Sequence, residues 1–234
     1  MTIYDLIDAT WPPAAFHQIG PWTIREGRGG GSRVSAATAR SPVGADARQI
    51  AEQAMQGLGQ PPIFMIRPGD DGLDAQLAGA GYVIQDPVVA YAAPIHPITA
   101  DDLPAKTTFQ SWPPLSQQRD IWAIGGIGPA RLAIMDRVTG PRTSFLGRVQ
   151  DQPAGSVFVG CQAGQAMLHA LEVLPQFRRQ GLGRHLLIAA AHWAQGQGAQ
   201  SLSLVVTRAN VGANALYTSL GMGVVGQYHY RIRP

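Results

Sequence analysis

One segment of this chain joins three local patterns in a row: Val173-Leu174-Pro175-Gln176-Phe177-Arg178-Arg179-Gln180-Gly181-Leu182-Gly183-Arg184. Its first residues complete an apolar strand, which the proline ends. An Arg- and Gly-rich turn follows, and a helix begins after it. Such a turn places unpaired backbone N–H groups at the positive end of a helix dipole, where phosphate groups bind. The segment therefore predicts a pyrophosphate-binding turn.

The sequence on both sides of this turn predicts alternating strands and helices. Apolar positions recur at helical spacing over residues 182–195, and glycines then end that helix. Asn210 stands where it caps a second helix, which contains Tyr217 and ends before Gly221. Strands are predicted over residues 144–148, 155–161, 166–174, 202–206 and 224–232.

The N-terminal half repeats part of this pattern. Helices are predicted over residues 45–56 and 70–80, and strands over residues 63–66 and 81–84. The interval from Gly81 to Gly221 equals that from Asp70 to Asn210, and we call it the repeat interval. We interpret the repeat as a duplication. The first copy has no counterpart of the Arg/Gly turn, so we expect it to be non-catalytic.

Composition favours a packed globular protein. The chain has 234 residues, of which 45% are hydrophobic and 14% are charged. Prolines cluster between Pro94 and Pro104, which predicts a link between two domains, residues 1–97 and 98–234.

Charge argues against a nucleic-acid partner. The formal net charge is +3, Lys106 is the only lysine, and no dense basic run is present. Scattered arginines instead suit single contacts to phosphate or carboxylate groups.

The first residues and the single cysteine predict a cytoplasmic protein. Cys161 has no intrachain partner for a disulfide. Acidic residues, Asp5 and Asp8, stand where a signal peptide would have basic ones. No apolar run reaches the roughly 18 residues that span a bilayer, so no membrane association is expected.

Two common phosphate-binding motifs are excluded. A Walker loop needs Gly before its lysine, and here Ala105 precedes the only lysine. A dinucleotide fingerprint needs a third glycine, and here Leu186 follows Gly181 and Gly183. A plain Gly-rich turn at a helix start is the remaining alternative.

Two segments resemble the signatures of the GNAT superfamily, the Gcn5-related N-acetyltransferases. Residues 173–183 read Val-x-Pro-x-x-Arg-x-x-Gly-x-Gly, which is similar to the family's acetyl-CoA signature. Residues 210–221 read Asn-x-x-Ala-x-x-Leu-Tyr-x-x-Leu-Gly, which is similar to its second signature. Met222 departs from the aromatic residue that is common there. The resemblance covers about residues 98–234, and the first half more weakly resembles the degenerate copy of tandem GNAT proteins.

The resemblance implies a fold and a cosubstrate. The fold is α/β (α+β), with two GNAT-like modules that each contain a mixed, mostly antiparallel sheet flanked by helices. The strand ending at Leu174 would part from residues 202–206 and open a V-shaped slot for acetyl-CoA. Backbone groups of Val173 and Leu174 would pair with the pantetheine amides. The implied coenzyme A contacts are Val173, Leu174, Arg178, Arg179, Gln180, Gly181, Leu182, Gly183, Arg184 and Asn210.

The resemblance also implies direct acetyl transfer to a primary amine of a small molecule or peptide. The amine must first lose a proton, because an alkylammonium has a pKa near ~10. Tyr217 stands where the family places a general acid; an ordinary buried tyrosine is the alternative. For the base, Glu172, His169 and a water-relayed proton all stay open. A non-catalytic acyl-CoA-binding, sensing or scaffold protein is the rival interpretation, and the protein is expected to be a monomer or homodimer.

Other polar and aromatic residues receive structural interpretations. Residues 28–33 read Arg-Gly-Gly-Gly-Ser-Arg, and flanking apolar segments favour a hairpin turn over an anion cradle. His185 and His192 are two helical turns apart, too far to share a metal ion, and no metal is expected. For Trp112 and Trp122, a wall of the acceptor pocket is favoured as strongly as core packing or a lid brace. Tyr228 and Tyr230 are equally expected to line the far side of the slot or to pack in the core.

Overall fold

The protein is described by a computed structural model that covers residues 1–100 and 102–234, the side chain of Ala45 excepted. The helices are α1 (Ile3–Thr10), α2 (Ser32–Ser35), α3 (Ala45–Gly57), α4 (Asp71–Gly79), α5 (Ile95–Thr99), α6 (Ser116–Ile124), α7 (Pro129–Arg137), α8 (Leu182–Gly196) and α9 (Val211–Ser219). The strands are β1 (Ala15–Ile19), β2 (Trp22–Glu26), β3 (Thr38–Ala39), β4 (Ile63–Ile66), β5 (Val83–Pro94), β6 (Thr108–Ser111), β7 (Arg142–Val149), β8 (Gln152–Gln162), β9 (Gln165–Val173), β10 (Ser201–Thr207) and β11 (Gly223–Ile232).

The predicted elements of the C-terminal half are confirmed. Each predicted strand and helix between residues 144 and 232 is present, with bounds that differ by a few residues. Asn210 caps α9, since its side-chain oxygen accepts a hydrogen bond from the N–H of Ala213 at 3.1 Å. In the N-terminal half the strand predicted at residues 81–84 is much longer, because β5 continues to Pro94.

The strands form a three-stranded sheet, β1-β2-β3, and an eight-stranded sheet in the order β4-β11-β5-β10-β9-β8-β7-β6. In the larger sheet β9 and β10 are parallel, and all other neighbours are antiparallel. The α/β fold with a mixed, mostly antiparallel sheet is therefore confirmed.

Strands from both halves of the chain share the larger sheet. The C-terminal strand β11 lies between β4 and β5, and β5 in turn lies between β11 and β10. The boundary at residues 97 and 98 stays a prediction. Within the predicted link from Pro94 to Pro104, residues 95–99 form α5, and Asp101 lies outside the described residues.

The strand pairing repeats at the interval found in the sequence. β4 pairs with β11 through Ile66 and His229, and β5 pairs with β10 through Val89 and Val206. Val206 follows Ile66 by the repeat interval, and His229 follows Val89 by the same interval. The register of the four strands thus has an internal two-fold relation.

Helices cover both faces of the larger sheet. On one face α8 packs its buried residues, Leu186 and Leu187 among them, against β7, β8 and β9. On the other face α1 contributes Leu6 and Ile7 to a cluster with Met167, and α6 contributes Trp122 to a neighbouring cluster. We call these the α8 face and the α1 face.

The prediction of a hairpin turn at residues 28–33 is wrong. Residues 32–35 form the short helix α2 instead, and β2 pairs with β1 and with β3. Because Gly31 has a φ of 93°, the chain turns sharply before α2 and leads away from β2 toward the sheet's α1 face.

An acidic residue of α4 links the N-terminal half of the chain to the C-terminal strand β11. Asp74 accepts hydrogen bonds from Arg231 Nε at 2.7 Å, Arg231 Nη2 at 3.1 Å and His229 Nε2 at 2.8 Å. These bonds, those from Arg231 first, hold the pKa of Asp74 below its usual value. The pair related to Asp74 and Arg231 by the repeat interval is Asn214 with Tyr91, at 3.1 Å.

We predict that Asp74→Asn lowers the free energy of unfolding by about 1–2 kcal/mol at neutral pH, because the carboxylate is partly exposed. Since the folded pKa is lowered, this contribution is present above the unfolded value of 3.8 and is lost as the pH falls below it. Urea unfolding from pH 7 to pH 3 measures the difference. Asp71→Asn, in the same helical turn but exposed, is the control and is expected to be nearly neutral. An equal effect of both substitutions would contradict the prediction.

Candidate active site

The larger sheet splits between β9 and β10. The last pair that joins these two strands is Leu168 with Leu204, yet β9 continues to Val173 and β10 to Thr207. Beyond that pair β9 stays with β8, and β10 stays with β5. The predicted opening between the two strands is therefore present.

A bulge in β9 starts the split. Phe158 of β8 faces His169, but Ser156 faces Glu172, so two residues of β9 lie opposite one of β8. The bulged Ala170 has a φ of 52°, and its carbonyl oxygen accepts a hydrogen bond from Trp122 Nε1 at 2.7 Å. Trp122 is fully buried, so α6 holds the bulge in place, and this tryptophan packs in the core rather than walling a pocket.

The turn after β9 exposes consecutive N–H groups. Arg179 and Gly181 have φ angles of 64° and 82°, and α8 begins directly after them. Within the described chain, no main-chain or side-chain acceptor is found for the N–H groups of residues 179–183. Five free donors at the positive end of a 15-residue helix form the geometry that binds a pyrophosphate.

At the end of β9 only one of the two predicted backbone partners is available. The N–H of Leu174 donates to Ala154 at 2.9 Å, and its carbonyl accepts from Phe177 at 2.9 Å. Successive residues of a strand direct their backbone N–H and C=O groups to opposite sides. Those of Val173 therefore point away from β8, toward the opening between β9 and β10. The prediction for Leu174 is therefore corrected, and Val173 offers the polar edge of the slot.

Arg178 folds back over the strand end. Its Nε donates to the carbonyl of Val173 at 2.9 Å, and its Nη2 lies 3.2 Å from a carboxylate oxygen of Glu172. The side chain of Arg178 is 57% exposed, so this ion pair is weak and opens at little cost. Arg178 thereby binds both the carbonyl of Val173 and the carboxylate of Glu172.

A cleft of about 660 Å³ lies between the start of α8 and α9. This volume falls within the range of cosubstrate sites. Most of the predicted coenzyme A contacts line it. The lining residues among them are Val173, Arg178, Arg179, Gly181, Leu182, Gly183, Arg184 and Asn210, while Gln180 lies in the turn and bonds to the carbonyl of Gln176.

Tyr217 also lines the cleft. It is 6% exposed, and its ring lies 5.9 Å from that of Tyr91. Burial raises the pKa of Tyr217 to about 12, so the phenol keeps its proton at neutral pH. No hydrogen-bond partner for its hydroxyl is found in the described part of the chain, which leaves that proton available for donation.

Glu172 reaches around the edge of β9. Its neighbours Leu171 and Val173 pack toward the α8 face, and its carboxylate lies against Gly125, where α6 ends. A Cβ on Gly125 would lie only 2.6 Å from a carboxylate oxygen. Glu172 thus lines the cleft and also reaches the α1 face of the split.

His169 is not placed to act as a base. It is 4% exposed and lies on the α1 face, where its Nε2 is 2.9 Å from Thr10 Oγ1. Because that hydroxyl donates to the carbonyl of Leu6, it accepts from Nε2–H, and Nδ1 accepts from Arg33 at 3.4 Å. Burial and the Arg33 charge lower the pKa of His169 well below its usual value. A buried imidazole with both nitrogens engaged is a positioning group.

The sequence does not indicate the contacts that three residues near the split make with β9. Trp122 and Gly125 act through contacts with β9 that span more than forty residues of chain. The sequence predicts a hairpin turn at residues 28–33, but Arg33 reaches His169 from 136 residues away. Only the assembled sheet brings these side chains to one place.

The described residues contain neither a metal centre nor a membrane-spanning helix. Among residues 1–100 and 102–234, no three His, Cys, Asp or Glu side chains lie close enough together to hold a metal ion. In the same ranges no helix is both long and apolar enough to cross a membrane.

The family description "Acetyltransferase (GNAT) family" matches residues 101–222, which is more than half of the chain. The chain belongs to the GNAT family. Members of this family transfer an acyl group from acetyl-CoA, and the chain is accordingly an acyltransferase. The bulged β9, the turn and the residues that line the cleft all lie within the matched part of the chain.

This GNAT protein has relatives along its whole length. The "Uncharacterized N-acetyltransferase YobR" of Bacillus subtilis is 26% identical over 243 residues, covering 99% of this chain and 97% of YobR. A protein of Staphylococcus epidermidis described as functionally unknown has a TM-score of 0.74 at 12% identity, with 97% of this chain and 96% of that chain covered. A GCN5-related N-acetyltransferase from Kribbella flavida has a TM-score of 0.70 at 17% identity, covering 100% and 96%. The two structures establish the shared fold alone.

We predict that Gly181→Ala weakens coenzyme A binding about tenfold or more. Alanine disfavours the left-handed conformation by about 1–2 kcal/mol, so the turn relaxes and its donors lose their alignment. Isothermal titration calorimetry with coenzyme A measures the change.

Gly198→Ala is the matched control, since Gly198 also has a φ of 82° but lies beyond the other end of α8. It should reduce thermal stability to the same extent and leave the dissociation constant unchanged. Equal loss of affinity in both variants would contradict the role of the turn.

Proposed function

We propose that this protein is an N-acetyltransferase that moves the acetyl group of acetyl-CoA directly to a primary amine. The observation that carries the proposal is the split of β9 from β10 beside a turn with free N–H donors and a protonated phenol. Acetyl-CoA supplies a thioester, whose C–S bond breaks as the C–N bond to the acceptor forms. The turn at residues 179–183 would hold the diphosphate, and Val173 the pantetheine arm.

Tyr217 and Glu172 divide the proton transfers in this proposal. Glu172 reaches the α1 face of the split, where its carboxylate attracts an ammonium group and accepts a proton, directly or through water. Tyr217 lies in the cleft on the other face and donates a proton to the leaving sulfur. His169 is left out, because both of its nitrogens are occupied.

The position of Cys161 favours direct transfer over an acyl-enzyme. The thiol is 5% exposed on β8, within the core cluster against α8. Burial raises its pKa to about 11, so the thiolate is scarce at neutral pH. A ternary complex of acetyl-CoA and amine accounts for the reaction without this residue.

We further propose that residues 1–97 are a degenerate GNAT copy and that residues 98–234 bind acetyl-CoA. The register of β4, β5, β10 and β11 supports a duplication. The two residues of the pair Ile66–His229 are related to those of the pair Val206–Val89 by the repeat interval. In the first copy Leu77 stands one repeat interval before Tyr217, so no phenol is available there. Leu77 is fully buried beside Trp22 and Phe64.

A non-catalytic acyl-CoA-binding protein is the second candidate. The ion pair between Glu172 and Arg178 favours it, because the guanidinium contacts the carboxylate that would have to accept the proton. Assays of thiol release from acetyl-CoA with a panel of amines distinguish the two. Release that depends on an added amine supports the enzyme, and binding of coenzyme A without any release supports the sensor.

We predict that Tyr217→Phe lowers kcat about 100-fold or more and leaves the affinity for coenzyme A unchanged, because only the proton donor is lost. Tyr91→Phe is the matched control: its ring lies beside Tyr217, but its hydroxyl bonds to Asn214. Unchanged turnover in Tyr217→Phe would remove the acid role.

We predict that Gly125→Ala lowers kcat at least about tenfold with little loss of stability. The new methyl group displaces the flexible carboxylate of Glu172, whereas the φ of −78° at Gly125 suits alanine. Gly126 has a φ of 77° and no neighbour near its Cβ position, so Gly126→Ala is expected to lower stability rather than kcat. Full activity in Gly125→Ala would exclude Glu172 as the base.

A further inference from the structure

An arginine without an acidic partner among the described residues lies at the split of the sheet. Arg33 contacts His169 Nδ1 at 3.4 Å, and its guanidinium lies 6.0 Å from the ring of Trp11. The Nε atom is shielded from solvent and has no hydrogen-bond partner in the described chain. Within residues 1–100 and 102–234, no carboxylate forms an ion pair with this side chain.

A second buried polar group beside it is also unpartnered. Tyr228 is 3% exposed, and its hydroxyl lies close to Arg33 and Tyr230 but forms no hydrogen bond of normal geometry in the described chain. Tyr230 packs on Tyr228 at a ring distance of 5.5 Å and also faces Arg33. The guanidinium has no acidic partner among the described residues, and its Nε and the Tyr228 hydroxyl have no hydrogen bond of normal geometry, so this place keeps hydrogen-bonding capacity for a ligand.

The position of these groups relates them to the split. His169 is the first residue of β9 beyond the last pair with β10. Tyr228 pairs with Val88 of β5, which pairs with Thr207, the last residue of β10. Arg33 therefore lies next to the open end of the split, on the α1 face. The cleft with Tyr217 lies on the α8 face.

Because the cleft and Arg33 lie on opposite faces of the sheet, we expect the two substrates to approach from opposite faces. If the cosubstrate fills the α8-face cleft, the acceptor amine reaches the thioester through the split from the α1 face. On that face Glu172 presents a negative charge, and Arg33 a positive one. An acceptor with an ammonium group and a carboxylate matches both charges. One guanidinium and one phenol supply a single positive charge and several donors, which suits a carboxylate monoanion.

We propose that the acceptor is an amine that carries a carboxylate, and that Arg33 and Tyr228 bind that carboxylate. This inference rests on the proposed acetyltransferase function. His169 orients the guanidinium by accepting from it while its other nitrogen bonds to Thr10. Arg33 is partly exposed as a whole residue, while its Nε is shielded from solvent.

The test uses pairs of amines that differ only in the carboxylate. Glycine, β-alanine, 4-aminobutanoate and α-amino acids are each compared with the matching carboxamide by thiol release from acetyl-CoA. The best carboxylate should have a kcat/KM about 30-fold or more above its amide. Arg33→Gln should bring that ratio close to one, mainly through the KM of the carboxylate acceptor. The KM for acetyl-CoA and the turnover of the amide should not change.

Two further variants keep the test decisive. Tyr228→Phe removes a hydroxyl without a partner in the described chain, so it should fold normally and raise the KM of the carboxylate acceptor several-fold, even if Arg33→Gln is unstable. Arg131→Gln removes an arginine on α7 that bonds to the carbonyl of Gly126, and it should keep the full preference. Titration calorimetry of the carboxylate acceptor into the complex with coenzyme A provides a readout independent of turnover.

The outcomes separate this inference from the proposed function. Absence of thiol release with every amine, despite coenzyme A binding, overturns the proposed function. Equal turnover of carboxylates and amides, with no effect of Arg33→Gln or Tyr228→Phe, overturns the inference alone. A preference for aminoalkyl phosphonates over carboxylates, or an equal loss of preference in Arg131→Gln, overturns the assignment of the carboxylate to Arg33.

Discussion

The loss of pairing between β9 and β10 is the constraint on which the other features of the site depend. Backbone groups in a sheet interior normally bond to a neighbouring strand, and here those beyond Leu168 and Leu204 have separated. The bulge at Ala170, bonded to the buried Trp122, fixes where the separation begins. The protein thereby keeps a polar strand edge inside a packed domain, available to a ligand that contains amides.

The N-terminal half is a structural part of this site. β5 pairs with every residue of β10, including residues 205–207, which have no partner in β9. The helices α1 and α2 supply Thr10 and Arg33 to the α1 face of the split. A domain that lacked these elements would leave β10 and β11 without their shared neighbour.

The sequence predicted the elements of local origin. The strand–turn–helix at residues 165–196 and the capped helix with Tyr217 depend on spacing, glycines and an asparagine cap, which act within a few residues. Predictions about side-chain environment were less accurate. His169 and Leu174 occupy strand positions that fitted the expected roles, but His169 is engaged by Thr10 and Arg33, and Leu174 bonds to Ala154 and Phe177. The residues that engage His169, like Trp122 and Gly125, are distant in sequence, and no local pattern indicates them.

The central claim is that the main-chain N–H groups of residues 179–183 bind the diphosphate of coenzyme A. Amide hydrogen exchange, followed at residue resolution with and without saturating coenzyme A, tests it directly, since free donors exchange quickly and bonded ones slowly. The account predicts marked slowing at residues 179–183 and at Val173. Unchanged exchange at these amides, with protection elsewhere on the surface, would contradict it.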